Sequence, residues 1–152
     1  MSSSQVCVFG TSSDPPTSLL GHAGIVSYLA STGLFSSLIV VPVYRHMFET
    51  KRDRATAHGE SSSFAHKLAM CELQFSSLGT DTCSVTVSDV ERRIFNEKAV
   101  RQSDPASIRV GTLDLLTNLT SATPLADFHI CLGADSYRDL ATGKWFGGLA
   151  IR

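Results

Sequence analysis

The sequence predicts an α/β domain built on a doubly wound, mostly parallel sheet. Short apolar runs alternate along the chain with longer segments in which apolar residues recur every three or four positions, the pattern of buried strands separated by amphipathic helices. The length of 152 residues suits one domain, and with 43% hydrophobic and 18% charged residues the chain has the material for a core. We therefore expect a single domain over residues 1–152.

The first half of the chain opens with a strand, a helix and a second strand. Residues 5–9 are a short apolar run closed by Gly10, and residues 37–43 repeat that buried-strand pattern. Between them, residues 11–21 are mostly turn formers, and helical spacing covers residues 22–31 and stops near Gly33. Residues 44–62 are polar and basic, and their length favours a binding loop over a plain connection.

The second half continues the alternation. Helical spacing is expected over residues 63–77, strand patterns over 83–87 and 128–132, and a further helix over 112–119. Ser88 and Glu91 have the Ser-x-x-Glu spacing of a capping box, which predicts a short helical turn there. Residues 97–109 are polar and give no clear periodicity.

Charge and cysteine usage narrow the classes of function. Thirteen Lys and Arg against fourteen Asp and Glu give a net charge of −1, so there is no global electrostatic reason to bind nucleic acid or an anionic membrane. The four cysteines are widely spaced in apolar runs without a Cys-x-x-Cys pair, which favours buried thiols over a metal site. Without a signal-like start or a membrane-length apolar run, we expect a cytoplasmic protein.

The strand-to-helix loop from Gly10 to His22 is the strongest functional pattern. It combines glycines, hydroxyl side chains and a histidine at the first helical position. The N–H groups at a helix N-terminus are unpaired and partly positive, so such a junction is suited to binding phosphate. The same loop composition also occurs for purely structural reasons.

The loop resembles that of the nucleotidyltransferase superfamily, the cytidylyltransferase-like proteins whose signature is His-x-Gly-His after the first strand. Residues 10–17, Gly-Thr-Ser-Ser-Asp-Pro-Pro-Thr, followed by Gly21-His22, are similar to the nicotinate and nicotinamide mononucleotide adenylyltransferase branch. Residues 41–52, 69–73 and 132–145 agree with that branch in the same order.

The resemblance implies a Rossmann-like nucleotidyltransferase fold and a reaction of NAD biosynthesis. An adenylyl group would pass from ATP to nicotinate or nicotinamide mononucleotide, giving a dinucleotide and pyrophosphate, with Mg²⁺ accompanying ATP. His22 and Lys51 would be catalytic. The residues that would bind ATP and phosphate are Gly10, Thr11, Ser12, Thr17, Gly21, His22, His46, Lys51 and Arg52.

Two further residues are assigned to the mononucleotide by the same resemblance. Trp145 would stack on the pyridine ring, with a plain core or surface role as the alternative. Asp135 follows a predicted strand, where open α/β sheets bind ligands, and could equally be the N-cap of the next helix.

The sequence departs from the family pattern in three places. Thr17 stands at the first histidine of the signature, as it does in this branch, and His66-Lys67 replaces an acidic residue and an arginine. No Ile-Ser-Ser-Thr-x-x-Arg motif follows Trp145. We therefore expect a domain shortened at its carboxyl end, with half of the phosphate clamp missing and an uncovered sheet edge that favours homo-oligomers.

Two other functions stay open at this point. The chain could be a different nucleotidyltransferase, such as a pantetheine-phosphate or glycerol-phosphate type, with other acceptor-side residues. It could also be a noncatalytic or weakly active nucleotide-binding fragment, which the absent carboxyl-terminal motif favours. The choice between nicotinate and nicotinamide rests on few acceptor-pocket donors and is left open.

Overall fold

A four-stranded, fully parallel sheet organises the chain. The computed structural model describes residues 3–45, 60–102, 104–145 and 147–151, without the side chains of residues 60–63. The strands lie in the order β3-β2-β1-β4. They are β1 (Ser4–Thr11), β2 (Ser37–Pro42), β3 (Ser84–Val87) and β4 (Ala126–Cys131). The doubly wound parallel sheet expected from the sequence is confirmed.

Six helices accompany the strands in the part of the chain that the structure describes. They are α1 (His22–Ser31), α2 (Glu60–Phe75), α3 (Val90–Arg101), α4 (Thr112–Ala122), α5 (Ala134–Ala141) and α6 (Gly148–Ile151). Short 3-10 turns at Ser76–Leu78 and Pro105–Ser107 follow α2 and α3.

The core consists of two apolar layers, one on each face of the sheet. Successive side chains of β1 point to opposite faces, so Cys7 and Phe9 enter one layer and Val8 the other. Helices α1 and α2 cover the first layer, with Val26 and Phe75 among its buried residues. Helices α3 and α4 cover the second. Burial on both faces explains why the strands appear in the sequence as continuous apolar runs.

Most element boundaries agree with the sequence prediction. Helix α1 spans the predicted residues, and Gly33 follows it with φ of +71°, a conformation that favours glycine after a helix. Helix α2 begins at Glu60, three positions before its predicted start. The polar region after Val87 forms the twelve-residue helix α3, much longer than the predicted turn.

The predicted capping box at Ser88 and Glu91 is wrong. The backbone N–H of Ser88 donates to the Val40 carbonyl at 2.9 Å, so it is already paired within the sheet. The Glu91 carboxylate instead accepts a hydrogen bond from the backbone N–H of Tyr44 at 2.5 Å. The helix begins one residue after Asp89, whose carboxylate pairs with two arginines of the first turn.

All four cysteines are free thiols, as the sequence predicts. Cys7, Cys71 and Cys83 are buried and Cys131 is half-buried. Burial, together with the neighbouring Cys131 and Cys83, raises the pKa of Cys7 to about 12, so this thiol stays protonated and unreactive. Among the described residues, no helix has the length and apolar character needed to cross a bilayer.

The contrast between two residues of α2 provides a test of the core. Phe75 is 0% exposed in the first layer and Leu73 is 85% exposed on the same helix. We expect Phe75→Ala to lower the free energy of unfolding by about 3–5 kcal/mol, because it leaves a cavity, and Leu73→Ala to change it by less than about 0.5 kcal/mol. Urea denaturation followed by circular dichroism measures both. Equal effects would contradict the assignment of Phe75 to the core.

Candidate functional site

The candidate site lies where β1 and its two neighbours end. Because β1, β2 and β4 are parallel, their carboxyl ends at Thr11, Pro42 and Cys131 lie at one edge of the sheet. The backbone N–H of Val43 donates to the carbonyl of Thr11 at 2.9 Å, which extends the pairing of β1 and β2 past the last strand residue. Ligands of open α/β sheets bind at such an edge.

Thr17 and His22 hold the start of α1 through two reciprocal hydrogen bonds. The backbone N–H of His22 donates to Thr17 Oγ1 at 2.8 Å, and the backbone N–H of Thr17 donates to His22 Nδ1 at 3.2 Å. The ring of Phe9 at the end of β1 lies edge-on to the imidazole, with centroids 6.1 Å apart. The half-buried histidine is therefore fixed in orientation above the strand end.

The bond from Thr17 also fixes the tautomer of His22. A backbone N–H can only donate, so Nδ1 acts as the acceptor and the proton of the neutral imidazole resides on Nε2. The second ring nitrogen is then a hydrogen-bond donor of the kind that binds a phosphate oxygen. The family resemblance assigned Thr17 to phosphate binding, and the structure adds that its backbone N–H sets the proton position of the histidine.

Two glycines allow the loop to pack against α1. A Cβ at Gly21 would lie 2.2 Å from Thr17 Oγ1, and a Cβ at Gly24 would lie 2.0 Å from the Leu19 carbonyl oxygen. Both positions require glycine because a side chain would clash there, and not because the backbone has a positive φ. Gly10 differs from both, because nothing lies within 4 Å of an added Cβ there, and the strand end is left open.

Ser13 is a loop residue that the sequence interpretation did not single out. It is fully buried, with φ of +44°, and both its N–H and its hydroxyl hydrogen-bond to Thr11 Oγ1. Burial raises the pKa of the Cys71 thiol on α2, and the Ser13 side chain acts to lower it. Thr11 is thus engaged inside the protein, whereas the neighbouring Ser12 is exposed.

The start of α1 differs from a bare phosphate-binding helix N-terminus. The N–H groups of His22 and Ala23 donate to the Thr17 hydroxyl and to the Thr17 carbonyl, the latter at 3.1 Å. The loop itself therefore uses two of the amides that the sequence argument assigned to phosphate. A ligand here would rely on the His22 imidazole and on groups of the β1 end.

Asp135 and Trp145 lie in the segment after β4. Helix α5 begins at Ala134 with Gly133 as its N-cap, so Asp135 is in the first turn and the N-cap alternative is wrong. Its carboxylate lies over Gly133, where an added Cβ would come within 2.7 Å of Oδ1. Trp145 is half-buried and lines an open pocket of about 440 Å³ together with Thr142 and Leu149.

Three predicted residues, His46, Lys51 and Arg52, lie outside the described part of the chain. Their contacts with phosphate stay predictions. Among the residues that are described, no group of three His, Cys, Asp or Glu side chains is arranged to hold a metal ion.

The structure places at this edge two charged residues, Lys67 and Glu91, that the sequence analysis did not assign to the site. Lys67 of α2 is only 8% exposed and donates from Nζ to the Val43 carbonyl at 3.0 Å. Burial raises the pKa of Glu91 to about 7, although the Tyr44 N–H and the Lys67 charge act to lower it. The signal for Lys67 was present, because it lies in helical register with the apolar Phe64 and Cys71.

The close contact at Gly24 leads to a testable expectation. We expect Gly24→Ala to destabilise the protein by about 1–3 kcal/mol, because the methyl group meets the Leu19 backbone, which must move. Gly10→Ala, placed in open space, is the matched control and should be neutral or slightly stabilising. Urea denaturation of both variants checks this. A neutral Gly24→Ala would contradict the described packing of the loop.

Comparisons with known proteins found similarity at the level of structure. Neither protein-family profiles nor curated protein sequences match the chain. A nicotinate-nucleotide adenylyltransferase structure from Vibrio parahaemolyticus superposes with a TM-score of 0.53 at 20% identity, covering 97% of this chain and 71% of that one.

Two structures of Plasmodium falciparum nicotinic acid mononucleotide adenylyltransferase are also similar. The complex with APC gives a TM-score of 0.61 at 18% identity over 95% of this chain, and the complex with NaAD gives 0.62 at 17% identity over 95%. This chain covers 57% and 58% of those two chains, less than two thirds of their length. The chain therefore has the α/β fold of nicotinate-nucleotide adenylyltransferases over part of the length of those enzymes.

Proposed function

We propose that this chain binds ATP and a pyridine mononucleotide at the carboxyl edge of the sheet and transfers the adenylyl group between them. The observation that carries the proposal is the reciprocal Thr17–His22 pair, which presents a histidine Nε2–H donor above the end of β1. Structures of the same fold have been solved with NaAD and with APC, which supports nucleotides as the ligands.

The transfer needs positioning more than acid or base groups. An anionic phosphate oxygen of the mononucleotide attacks the α-phosphorus of ATP, and a new P–O bond forms there. The bond from the α-phosphorus to the oxygen that bridges it to the β-phosphorus breaks, and pyrophosphate leaves with the electron pair. Because the attacking oxygen is already charged, no proton has to be removed from it, and donors that stabilise phosphate charge are sufficient.

The position of each site residue suggests which part of the two substrates it would bind. His22 would donate from Nε2 to a phosphate of ATP, and the open backbone at Gly10 and the exposed hydroxyl of Ser12 would hold the nucleotides at the strand end. Lys51 and Arg52 would add positive charge on the phosphates, and His46 a further donor. Asp135 and Trp145 would contact the mononucleotide, with the indole stacking on the pyridine ring in the pocket that it lines.

Magnesium would accompany ATP as a complex. The described site offers the imidazole of His22 and the exposed hydroxyl of Ser12, which suit phosphate oxygens and not the ion itself. The ligands of Mg²⁺ would then be mainly phosphate oxygens and water, and the ion would supply charge neutralisation on the leaving pyrophosphate.

A noncatalytic nucleotide-binding role is the second candidate. The observation that favours it is that the loop itself uses the N–H groups of His22 and Ala23, which leaves fewer donors to stabilise the charge of a leaving pyrophosphate. Such a protein would bind ATP through the same loop without forming product. The acceptor is also a proposal, and a pantetheine phosphate is the alternative to a pyridine mononucleotide. The formation of homo-oligomers is a separate proposal.

The proposal predicts pyrophosphate release that depends on both substrates. We expect the chain to release pyrophosphate with Mg-ATP and nicotinate or nicotinamide mononucleotide, and not with either substrate alone. A coupled phosphate assay measures this, with pantetheine phosphate as a competing acceptor. Binding of ATP by calorimetry without product from any acceptor would favour the noncatalytic role.

Substitution of His22 separates a catalytic role from a structural one. We expect His22→Ala to lower kcat/KM by about 10²–10³, the usual loss when one preorganised donor to a developing charge is removed. The matched control is His66→Ala, because His66 is exposed on α2 and lies outside the proposed site. A His22→Ala variant that loses melting temperature but retains kcat/KM would contradict the donor role.

A further inference from the structure

One peptide group at the end of β2 is held by two side chains of opposite charge. The Val43 carbonyl accepts a hydrogen bond from Lys67 Nζ at 3.0 Å, and the Tyr44 N–H donates to Glu91 Oε2 at 2.5 Å. Both groups belong to the peptide bond between Val43 and Tyr44. The orientation of this peptide is therefore fixed at both of its polar ends.

The two side chains come from opposite layers of the domain. Lys67 belongs to α2, which packs on the first apolar layer, and Glu91 belongs to α3, which packs on the second. The Tyr44 ring lies edge-on to the rings of Phe64 from α2 and Phe95 from α3, with centroid distances of 4.9 Å and 5.2 Å. The end of β2 is thus clamped between the layers by aromatic contacts as well as by charges.

This arrangement is costly for a purely structural turn. A lysine that is 8% exposed and a partly buried carboxylate both lose hydration, and a neutral donor and acceptor could hold the same peptide with less desolvation. Charged groups do provide stronger and more directional hydrogen bonds than neutral ones. The benefit of the charged pair is therefore a more sharply defined peptide position.

The clamped peptide is connected directly to the proposed nucleotide site. The N–H of Val43 is bonded to the carbonyl of Thr11 at the end of β1. Burial raises the pKa of Cys71 on α2, and both Ser13 in the loop after β1 and the charge of Lys67 act to lower it, so these side chains influence one another. A shift of this peptide would move the strand end at which the phosphates are proposed to bind.

We propose that Lys67 and Glu91 are positioning residues for nucleotide binding, which hold the end of β2 against the end of β1 through the Val43–Tyr44 peptide. This inference rests on the proposed function for its consequence on substrates. The hold on the peptide itself can be tested without any enzymatic activity.

Glu91 makes the hold sensitive to pH. Its pKa of about 7 is raised by burial, while Lys67 from α2 and the Tyr44 N–H from the end of β2 oppose the increase. On its own helix, Asp89 is paired with Arg92 and Arg93. Below pH of about 7 the carboxyl gains a proton, so its attraction to Lys67 and its strength as an acceptor for Tyr44 both decrease.

Protonation of Glu91 weakens its hold on the peptide but increases the stability of the folded state. The folded pKa is raised above the ordinary value of 4.5, so the folded state binds this proton more tightly than the unfolded state. The contribution of Glu91 to stability is therefore highest at low pH and decreases as pH rises from about 4.5 to about 7. If Glu91 had a structural role alone, its protonation at low pH would only stabilise the fold. If it is a positioning residue, the same protonation should also weaken substrate binding.

The first experiment follows the Tyr44 amide by NMR in the full chain labelled with nitrogen-15. We expect its chemical shift to titrate with a midpoint near pH 7 in the wild type. The titration should disappear in Glu91→Gln and persist in Glu97→Gln, since Glu97 is an exposed glutamate of the same helix. A wild-type Tyr44 amide that does not titrate, or an unchanged titration in Glu91→Gln, would overturn the inference.

The second experiment measures pyrophosphate release by the same variants. We expect Glu91→Gln and Lys67→Met to raise KM for the mononucleotide by about three- to tenfold, with kcat changed by less than about twofold, and Glu97→Gln to change neither. Below pH 7 the KM of the wild type should rise more than that of Glu91→Gln, whose KM follows only the protonation of the substrate phosphate. Unchanged KM in both variants would overturn the positioning role. Absence of release by the wild type, with a normal Tyr44 titration, would reject the proposed function but support the hold on the peptide.

Discussion

Strand β1 is hydrogen-bonded in parallel along both of its edges, and this pairing places the three strand ends that border the candidate site. Val6 to Thr11 pair with β2, and Ser4 to Phe9 pair with β4. Parallel pairing requires the three strands to end on the same side of the sheet. The loop to His22, the turn after β2 and the start of α5 therefore converge at one edge of the sheet.

The elements that the sequence predicts well are those whose own residues form a recognisable pattern of burial. β1 and β2 are recognisable because burial on both faces requires continuous apolar runs such as Val6–Phe9 and Leu38–Val41. Helix α1 is recognisable because Gly21 and Gly33 border an apolar periodicity. In each case the residues that form the sequence pattern are also the ones whose burial stabilises the element.

The features that could not be predicted depend on partners distant in sequence. Ser88 and Glu91 have the spacing of a capping box, but Glu91 is bonded to a backbone group 47 positions away. The tautomer of His22 depends on the direction of one N–H from Thr17, which spacing does not reveal. Lys67 is intermediate, because its place on an apolar helix face was visible, whereas the carbonyl that compensates its burial was not.

The peptide between Val43 and Tyr44 has a consequence for how the two halves of the core respond to change. Helices on opposite faces of a sheet normally tolerate substitutions independently, because the sheet separates them and their energies add. Here one helix from each face holds the same amide unit. Packing changes beneath α2 and beneath α3 should therefore be thermodynamically coupled, so that epistasis in this domain extends across the sheet through a single backbone link.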